Sequence, residues 1–490
     1  MSGSFPLHDA ATARDIDVHA SERIEGGAYE LMRRAGQSAW RHALDQWPHA
    51  HRIVVVCGPG NNGGDGYVFG AAAVRSGRHV CIVHLPDHVP RTPSAQRACT
   101  DFVAAGGHIE LFEHHLPAAD LVVDALFGLG LARAPDPASA HLIEAINAQT
   151  APVLSLDVPS GVDADRGSVP GAAVIATRTL QFIVEHVGLR TGEALEYTGT
   201  FAFDHLDVPV DALETAMPAA IALEHAALPR WLLPRRRNTH KGESGRVLCV
   251  GGDHGSGGAV LLCAEAALRT GAGLLHVATR QAHVAAILAR RPEAMVAAVE
   301  SSAELEPMLA QADVIALGPG LGRGEWSRAM FEQALRAGVP CVIDADALNL
   351  LAEHPRALPD AILTPHPGEA ARLLGVETAD VQRDRRLAVL ALADRFQCAV
   401  VLKGAGTLVA APGQTPCVID AGNPGMAVGG MGDLLTGVIA ALRAQGLTAF
   451  DAACAGALLH SLAGDAAAVE GERGTLPSDL LPALRRLANP

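Results

Sequence analysis

What this 490-residue chain has least of is aromatic side chains, only 4% of the total. So few flat faces disfavour a base-stacking platform for nucleic acid. Basic runs are scarce as well: the net charge is −15, and the one dense patch is PRRRNTHK, Pro234 to Lys241. That balance excludes nucleic acid as the expected main partner. The nine cysteines (Cys57, Cys81, Cys99, Cys249, Cys263, Cys341, Cys398, Cys417 and Cys454) are odd in number and form no CxxC pair. A disulfide framework or a zinc site does not fit that scatter; small buried thiols in a reducing compartment do. Long apolar runs are missing too. The greasiest stretch, AVLLCAEAALRTGAGLLHVATR, is broken by Glu265 and Arg269, so no membrane span is expected. The first residues, MSGSFPLHDAATARDIDVHA, carry His, Asp and Arg where a secretory leader needs an apolar core. The reading is a soluble, cytoplasmic protein. There is no GxxxxGK[ST] and no protein-kinase HRD or DFG set, which excludes a P-loop and a protein kinase.

What is present is ample core material, 49% hydrophobic against 19% charged, in a chain too long for one ordinary core. RIVVVCGPGNNGGDGYVFGAAAVRSG reads as strand, glycine-rich turn and helix, and HVCIVHL, ADLVVDALFG and APVLSLDVPSG add strands. Alternation of strands with helical stretches predicts an α/β protein with a doubly wound parallel sheet, whose ligands bind at the carboxyl ends of the strands. The stretch ELMRRAG predicts an amphipathic helix packed on this first domain or on a partner subunit. Near residues 211–235 the rhythm breaks, and it restarts with GRVLCVGG, GLLHVATR, ADVIALGPGLGRG, VPCVIDADALNL, AILTPHPGEA and CAVVLKGAGTLVA, with a last helical block from Leu434. The expected division is a domain over 1–212, a linker over 213–227 and a second α/β domain over 228–490.

GPGNNGGDG has Gly58, Gly60 and Gly63 in GxGxxG spacing between a strand and a helix. Glycines admit a close backbone approach, and the helix N-terminus offers free N–H groups to a phosphate. A tight strand-to-helix turn is the plainer alternative. A redox dinucleotide site also wants an acid at the end of the next strand, and Asp87 there lies in a His- and Pro-rich loop. Asn61, Asn62 and Asp65 are polar groups such a loop does not need. Asp124 closes one strand, and Asp157 with Ser160 closes another. Asn62, Asp124 and Ser160 could therefore surround a hard cation with oxygens, and Asp157 could act as general base or acid. Each carboxylate alone fits a cap or turn better than a site, and the glycine-rich loop beside them reverses that balance.

In the second half, GGMGD before LLTGVIAALRAQG is a helix N-terminus with bare backbone, a ready anion hole. Asp433 in its first turn would repel phosphate unless it has a task, such as taking a proton from a hydroxyl that attacks a phosphoryl group. Simple helix capping by Asp433 is the alternative. Lys241 is a candidate anion contact or a solvated surface lysine, and a lone His366 is more often structural than functional.

GPGNNGGDG, VDALFGLGLARAP and DVPSG together resemble the epimerase domain of NAD(P)H-hydrate repair enzymes. The resemblance implies a Rossmann-like domain with a phosphate-binding loop at Asn61, Asn62, Gly63, Gly64 and Asp65. It implies a second substrate loop at Gly128, Leu129, Gly130, Leu131, Ala132, Arg133 and Ala134, with Asp157 catalytic or substrate-binding. It also implies K⁺ on Asn62, Asp124 and Ser160. One departure stands out: LQFIVEHVGL puts His186 where that family commonly has a lysine. NPGMAVGGMGD, HKGESGRVLCVGG, GPGLG and TPHPGE resemble the ADP/ATP-dependent NAD(P)H-hydrate dehydratase, a ribokinase-like α/β domain. That resemblance implies a nucleotide site at Lys403, Gly404, Ala405, Gly406, Thr407 and Gly432. It implies a hydrate pocket at Ala259, Gly320, His366 and Asp433, Mg²⁺ with the nucleotide, ADP in preference to ATP, and a homo-oligomer. The implied activity is epimerisation of NAD(P)H hydrates joined to their nucleotide-dependent dehydration. Two other readings stay open: a ribokinase-like small-molecule kinase fused to a dinucleotide-binding module, and a first domain that binds without catalysing.

Overall fold

β-Branched runs such as Ile53–Val56 pack well in a sheet covered on both faces, and helices supply the cover here. The computed structural model describes residues 3–130, 133–208, 213 and 216–489. Contacts divide it into two units, Pro6–Ala220, and Ile221–Pro490 with Met1–Phe5.

In the first unit the sheet comprises β1 (Arg52–Cys57), β2 (His79–His84), β3 (His108–Leu111), β4 (Leu121–Ala125), β5 (Val153–Leu156), β6 (Arg178–Phe182) and β7 (Thr200–Asp204). Its order is β3-β2-β1-β4-β5-β6-β7, every pair parallel. The order reverses at β1/β4, the switch point where a crevice opens in a doubly wound sheet. The glycine-rich turn after β1 and the Asp124 strand end meet at that crevice. The ELMRRAG helix, Gly27–Gln46, buries Leu31, Met32 and Ala35. It packs on the helix Asn61–Arg75 so closely that a Cβ on Gly36 would lie 2.5 Å from the Val68 side chain. It therefore covers its own unit.

The second unit contains β8 (Ala220–Leu223), β9 (Arg246–Val250), β10 (Leu274–Thr279), β11 (Met295–Ala298), β12 (Val314–Leu317), β13 (Cys341–Ile343), β14 (Ile362–Leu363), β15 (Ala399–Leu402), β16 (Thr407–Ala410) and β17 (Cys417–Ile419). The order is β11-β10-β9-β12-β13-β14-β15-β16-β17-β8. The pairs from β11 to β15 are parallel, and β15-β16 and β16-β17 are antiparallel. Strand β8 differs from the expected linker over 213–227: Ile221 and Ala222 pair with Cys417 and Val418, and Ala220, Ala222 and Leu223 are buried. Four apolar residues suffice for a strand but leave almost no alternation to read.

Two more expectations change. The last helical block starts at Met431, not Leu434, so Gly432 and Asp433 both lie in its first turn. The segment Ala449–Glu470 is long and apolar enough by composition to cross a membrane, and 67% of its most apolar stretch is buried inside the protein. Its Ala, Gly and Leu content, interrupted by Asp451, His460, Ser461 and Asp465 before the terminal Glu470, suits a core helix, and Cys454, Leu458 and Leu459 are at most 1% exposed.

Candidate active sites

In the first unit, the helix Asn61–Arg75 begins at Gly60 with no side-chain cap, which leaves its first N–H groups for a ligand. A Cβ on Gly63 would lie 1.9 Å from the Gly58 carbonyl, so only glycine permits this turn. Beside it, Asp124 is fully buried. Its carboxylate accepts from Ser160 Oγ at 2.6 Å, Ser160 N and Ser155 Oγ at 2.9 Å, and Leu126 N at 3.2 Å. Burial pushes its carboxyl up, and these hydrogen bonds oppose the shift. Asn62 Nδ2 donates to the Phe127 carbonyl at 2.7 Å, while its Oδ1 is buried without a partner. Ser160 Oγ also reaches the Phe127 carbonyl, at 3.3 Å. Asn62 and Ser160 thus meet at one backbone oxygen that no residue-type argument can find, and Asp124 joins them through Ser160.

Asp157 follows β5 with φ +65°, a left-handed conformation costly for a non-glycine residue and typical of functional turns. One carboxylate oxygen meets His186 Nε2 at 3.0 Å; the other would lie 3.7 Å from a Cβ on Gly128, at the start of the second loop. His186 is buried, its amide donates to Gln181 Oε1, and its Nδ1 has no partner. Asp65 and Asp17 share this region. Burial, then the charges of Asp157 and Asp17, hold the Asp65 carboxyl far above its usual range. Asp17, on the helix Ala10–Arg23, keeps an exposed side, yet crowding by surrounding protein and then the charge of Asp157 push its carboxyl up to about 7, with His186 opposing. Asp17 is a residue the motifs did not reveal, since it stands in an unremarkable amphipathic stretch.

Asn61 accepts from Thr92 Oγ1 at 2.9 Å. A Cβ on Gly64 would meet the Met32 side chain. Leu129 accepts from Arg14 through its carbonyl, Ala134 lies against Gly171, and Gly130 and Arg133 are exposed. Leu131 and Ala132 lie outside the described residues.

In the second unit, the helix Met431–Ala444 has Gly430 at its N-cap with φ +100° and no side-chain cap. Asp433 is not the capping residue; it sits at the third helical position. Desolvation and the charges of Asp344 and Asp346 push its carboxyl up to about 7, against Lys403. A Cβ on Gly432 would lie 3.2 Å from Lys403 Nζ and 3.4 Å from Asp344 Oδ2, so Gly432 keeps this approach open. Lys403 donates to Asp344 Oδ1 at 2.6 Å and lies 3.9 Å from Glu369 Oε2. Glu369 is itself pushed up to about 7, mainly by burial.

KGAGT forms the turn between β15 and β16, with Thr407 Oγ1 donating to the Gly404 carbonyl. The buried Arg385 guanidinium supports it from below through the Leu402 and Lys403 carbonyls. Ala405 and Gly406 complete the turn between them. Upstream, Asp465 accepts from the Gly422 amide and the Asn423 side chain, both at 3.0 Å, which anchors the NPGM loop.

His366 caps the helix Pro367–Leu374: its Nδ1 accepts from Gly368 N and Glu369 N, and Glu369 accepts from His366 N. The structural role expected of a lone histidine is therefore present. It also fixes the tautomer, because an Nδ1 that accepts leaves Nε2 as the N–H donor. Burial and then Lys403 lower its pKa, which favours that neutral form. Gly320, at φ +60°, would place a Cβ 2.5 Å from the Ser256 carbonyl and 3.1 Å from the Ala259 Cβ, so those two residues meet. Asp346 accepts from Gly322 N at 2.8 Å and ties this loop to the Asp433 neighbourhood. Lys241 lies in the 3₁₀ turn Lys241–Ser244 and is exposed.

Two family models match the chain. One described as NAD(P)H-hydrate dehydratase covers residues 247–486, and one described as YjeF-related protein N-terminus covers residues 28–188. A bifunctional NAD(P)H-hydrate repair enzyme from Coxiella burnetii is 45% identical, over 95% of this chain and 96% of its own length. Its counterpart from Escherichia coli is 44% identical over 94% of this chain and 90% of its own. Among solved structures, a ribokinase-like superfamily protein from Enterococcus faecalis is 31% identical with a TM-score of 0.52, covering 55% of this chain and 96% of that one.

Proposed function

The chain belongs to the family of bifunctional NAD(P)H-hydrate repair enzymes, and from that premise we propose how its two units divide the repair. The first unit interconverts the R and S hydrates. The second dehydrates the S hydrate to NAD(P)H with the help of an adenine nucleotide, ADP in preference to ATP. The observation that carries the second reading is Asp433, a carboxyl raised to about 7 in the first turn of an uncapped helix whose Gly432 faces Lys403.

A ring hydroxyl is a poor leaving group. The nucleotide would supply a phosphoryl group, and Mg²⁺ bound with it would offset that group's charge. KGAGT and Gly432 cradle it, and the helix N-terminus and Lys403 face the charge that develops. His366 Nε2–H, Ala259 and Gly320 seat the hydrate. Asp433 takes the hydroxyl proton as that oxygen bonds to phosphorus and the shortened nucleotide leaves. The ring nitrogen's lone pair then breaks the C–O bond and expels phosphate. Loss of a proton from the adjacent ring carbon restores the dihydronicotinamide.

In the first unit, the Asn61–Asp65 and Gly128–Ala134 loops hold the hydrate. Departure of the hydroxyl needs a proton donor, and its return on the opposite face needs an acceptor. Asp157, oriented by His186, and the neighbouring Asp65 and Asp17 carboxyls, both raised by burial and by neighbouring charge, can fill those roles. Asn62, Asp124 and Ser160 would hold K⁺: a buried carboxylate and an orphaned amide oxygen are donors that suit a hard, weakly bound cation. K⁺ there would balance the charge of Asp124 and brace the loop.

The test adds purified hydrate, Mg²⁺ and ADP or ATP to the full chain and follows the return of reduced-nicotinamide absorbance. No recovery with either nucleotide overturns the proposal. A stable phosphorylated product would favour the small-molecule kinase instead. A homo-oligomer belongs to the same proposal and is read by light scattering.

A further inference from the structure

We infer that Asp344 is the positioning residue of the phosphoryl-transfer site: it holds Lys403 beside Gly432 and, through Thr436, fixes the first turns of the helix that carries Asp433. The inference rests on the proposed role of Asp433 as base. Asp344 follows β13 and is 1% exposed. Its Oδ1 accepts from Lys403 Nζ at 2.6 Å, and its Oδ2 accepts from Thr436 Oγ1 at 2.8 Å. Thr436 lies three residues beyond Asp433, and its hydroxyl is also 3.1 Å from the Gly432 carbonyl. One carboxylate therefore ties the end of β15 to the turn that contains both Gly432 and Asp433. The backbone beneath is constrained as well. The Asp344 amide donates to the Leu317 carbonyl at 3.0 Å, and the next residue, Ala345, has φ +50°. A strained non-glycine residue persists where its surroundings over-determine it, often at a functional turn.

A buried ion pair that merely knitted β13 to β15 would not need the Thr436 leg, nor a place beneath the anion-binding turn. Burial alone would push the Asp344 carboxyl up. The Lys403 ammonium, with hydrogen bonds from Lys403, Thr436 and Thr364, outweighs burial and keeps it charged. That charge acts on Asp433 together with Asp346, and Lys403 opposes both. Lys403 in turn faces Asp344, Glu369 and Asp433, with His366 beside it. The buried thiol of Cys263 also lies in the field of Asp433 and Asp344.

The test compares wild type, Asp344→Asn, Asp344→Glu and Thr436→Val in the full chain, by thermal melting and by the pH dependence of dehydration kcat/KM. Asp433 must be ionised to act, so wild-type activity rises as pH increases through about 7. Asn at 344 removes a negative neighbour of Asp433 and loosens the restraint on Lys403. Both changes lower the proton affinity of Asp433, so the acid limb moves to lower pH by about one unit. kcat falls about 10–100-fold with the KM for hydrate little changed, because alignment rather than hydrate binding is lost. Asp344→Glu keeps the charge but displaces it, so its kcat falls while its limb stays near that of wild type. Thr436→Val keeps the ion pair, so it loses less kcat and leaves the limb in place; it also carries the test should Asp344→Asn not fold. A folded Asp344→Asn with an unmoved limb, or Thr436→Val with unaltered kcat, overturns the inference. Asp433→Asn with normal activity would instead overturn the base assignment on which it rests.

Discussion

The two glycine-rich turns, one ahead of Asn61–Arg75 and the other ahead of Met431–Ala444, present the same bare helix N-terminus to different company. The first is surrounded by acids and a histidine: Asp17, Asp65, Asp157 and His186. The second has acids as well, but Lys403 stands among Asp344, Glu369 and Asp433. A cluster of carboxyls without an ammonium keeps some of them protonated at neutral pH, which suits shuttling a proton. Insert one ammonium and the cluster can face an incoming phosphate. Under the proposed division, an uncapped helix N-terminus would serve proton traffic in one unit and phosphoryl traffic in the other; the capping glycines differ, extended at Gly60 and left-handed at Gly430, and the charged company differs by one cation.

The sharpest way to break that comparison is a pair of substitutions. Asp433→Asn is expected to lower dehydration about 10³-fold or more while hydrate epimerisation stays within about twofold, and Asp157→Asn to do the reverse at about 10²-fold. Separate assays on purified R and S hydrates check both; loss of both activities in either variant would mean the units do not work independently. A smaller effect follows from His186, which touches Asp157. His186→Gln, measured by epimerisation alone, should slow that half-reaction about tenfold and leave dehydration unchanged. The smallest effect concerns stability. His460 is buried on the helix behind Met431, and burial lowers its pKa to about 4. The folded form excludes the proton that the unfolded chain accepts near pH 6.5. Stability is therefore full above that pH and falls between 6.5 and 4, by a maximum of about 3 kcal/mol. His460→Gln should flatten the decline of Tm over that window.

Much of the architecture is legible from local pattern. The run Ile53–Val56, the glycines after it and the helical stretch to Arg75 are contiguous, so spacing alone reveals a strand, a turn and a helix. GGMGD announces a helix start for the same reason. What the pattern conceals is long-range. Asp344 and Thr436 are 92 positions apart, and neither belongs to a recognisable motif. The Phe127 carbonyl is invisible because every residue has one. Asp17 looks like any solvated helix acid until the fold sets it near Asp157. Strand β8 escapes notice because four apolar residues, read alone, fit a connector as well as a strand.

A Cβ on Gly437 would lie 2.0 Å from the Cys263 carbonyl, so Met431–Ala444 and Gly257–Thr270 touch backbone to backbone. With no side chain between them, neither helix has slack to rotate or slide. The amides at the head of Met431–Ala444 are thus aimed before any ligand arrives, and little reorganisation energy is left for the reacting complex to supply. Adaptation to ligand falls instead to the flanking loops. In this unit the slow coordinate of turnover is expected to be loop motion rather than helix motion.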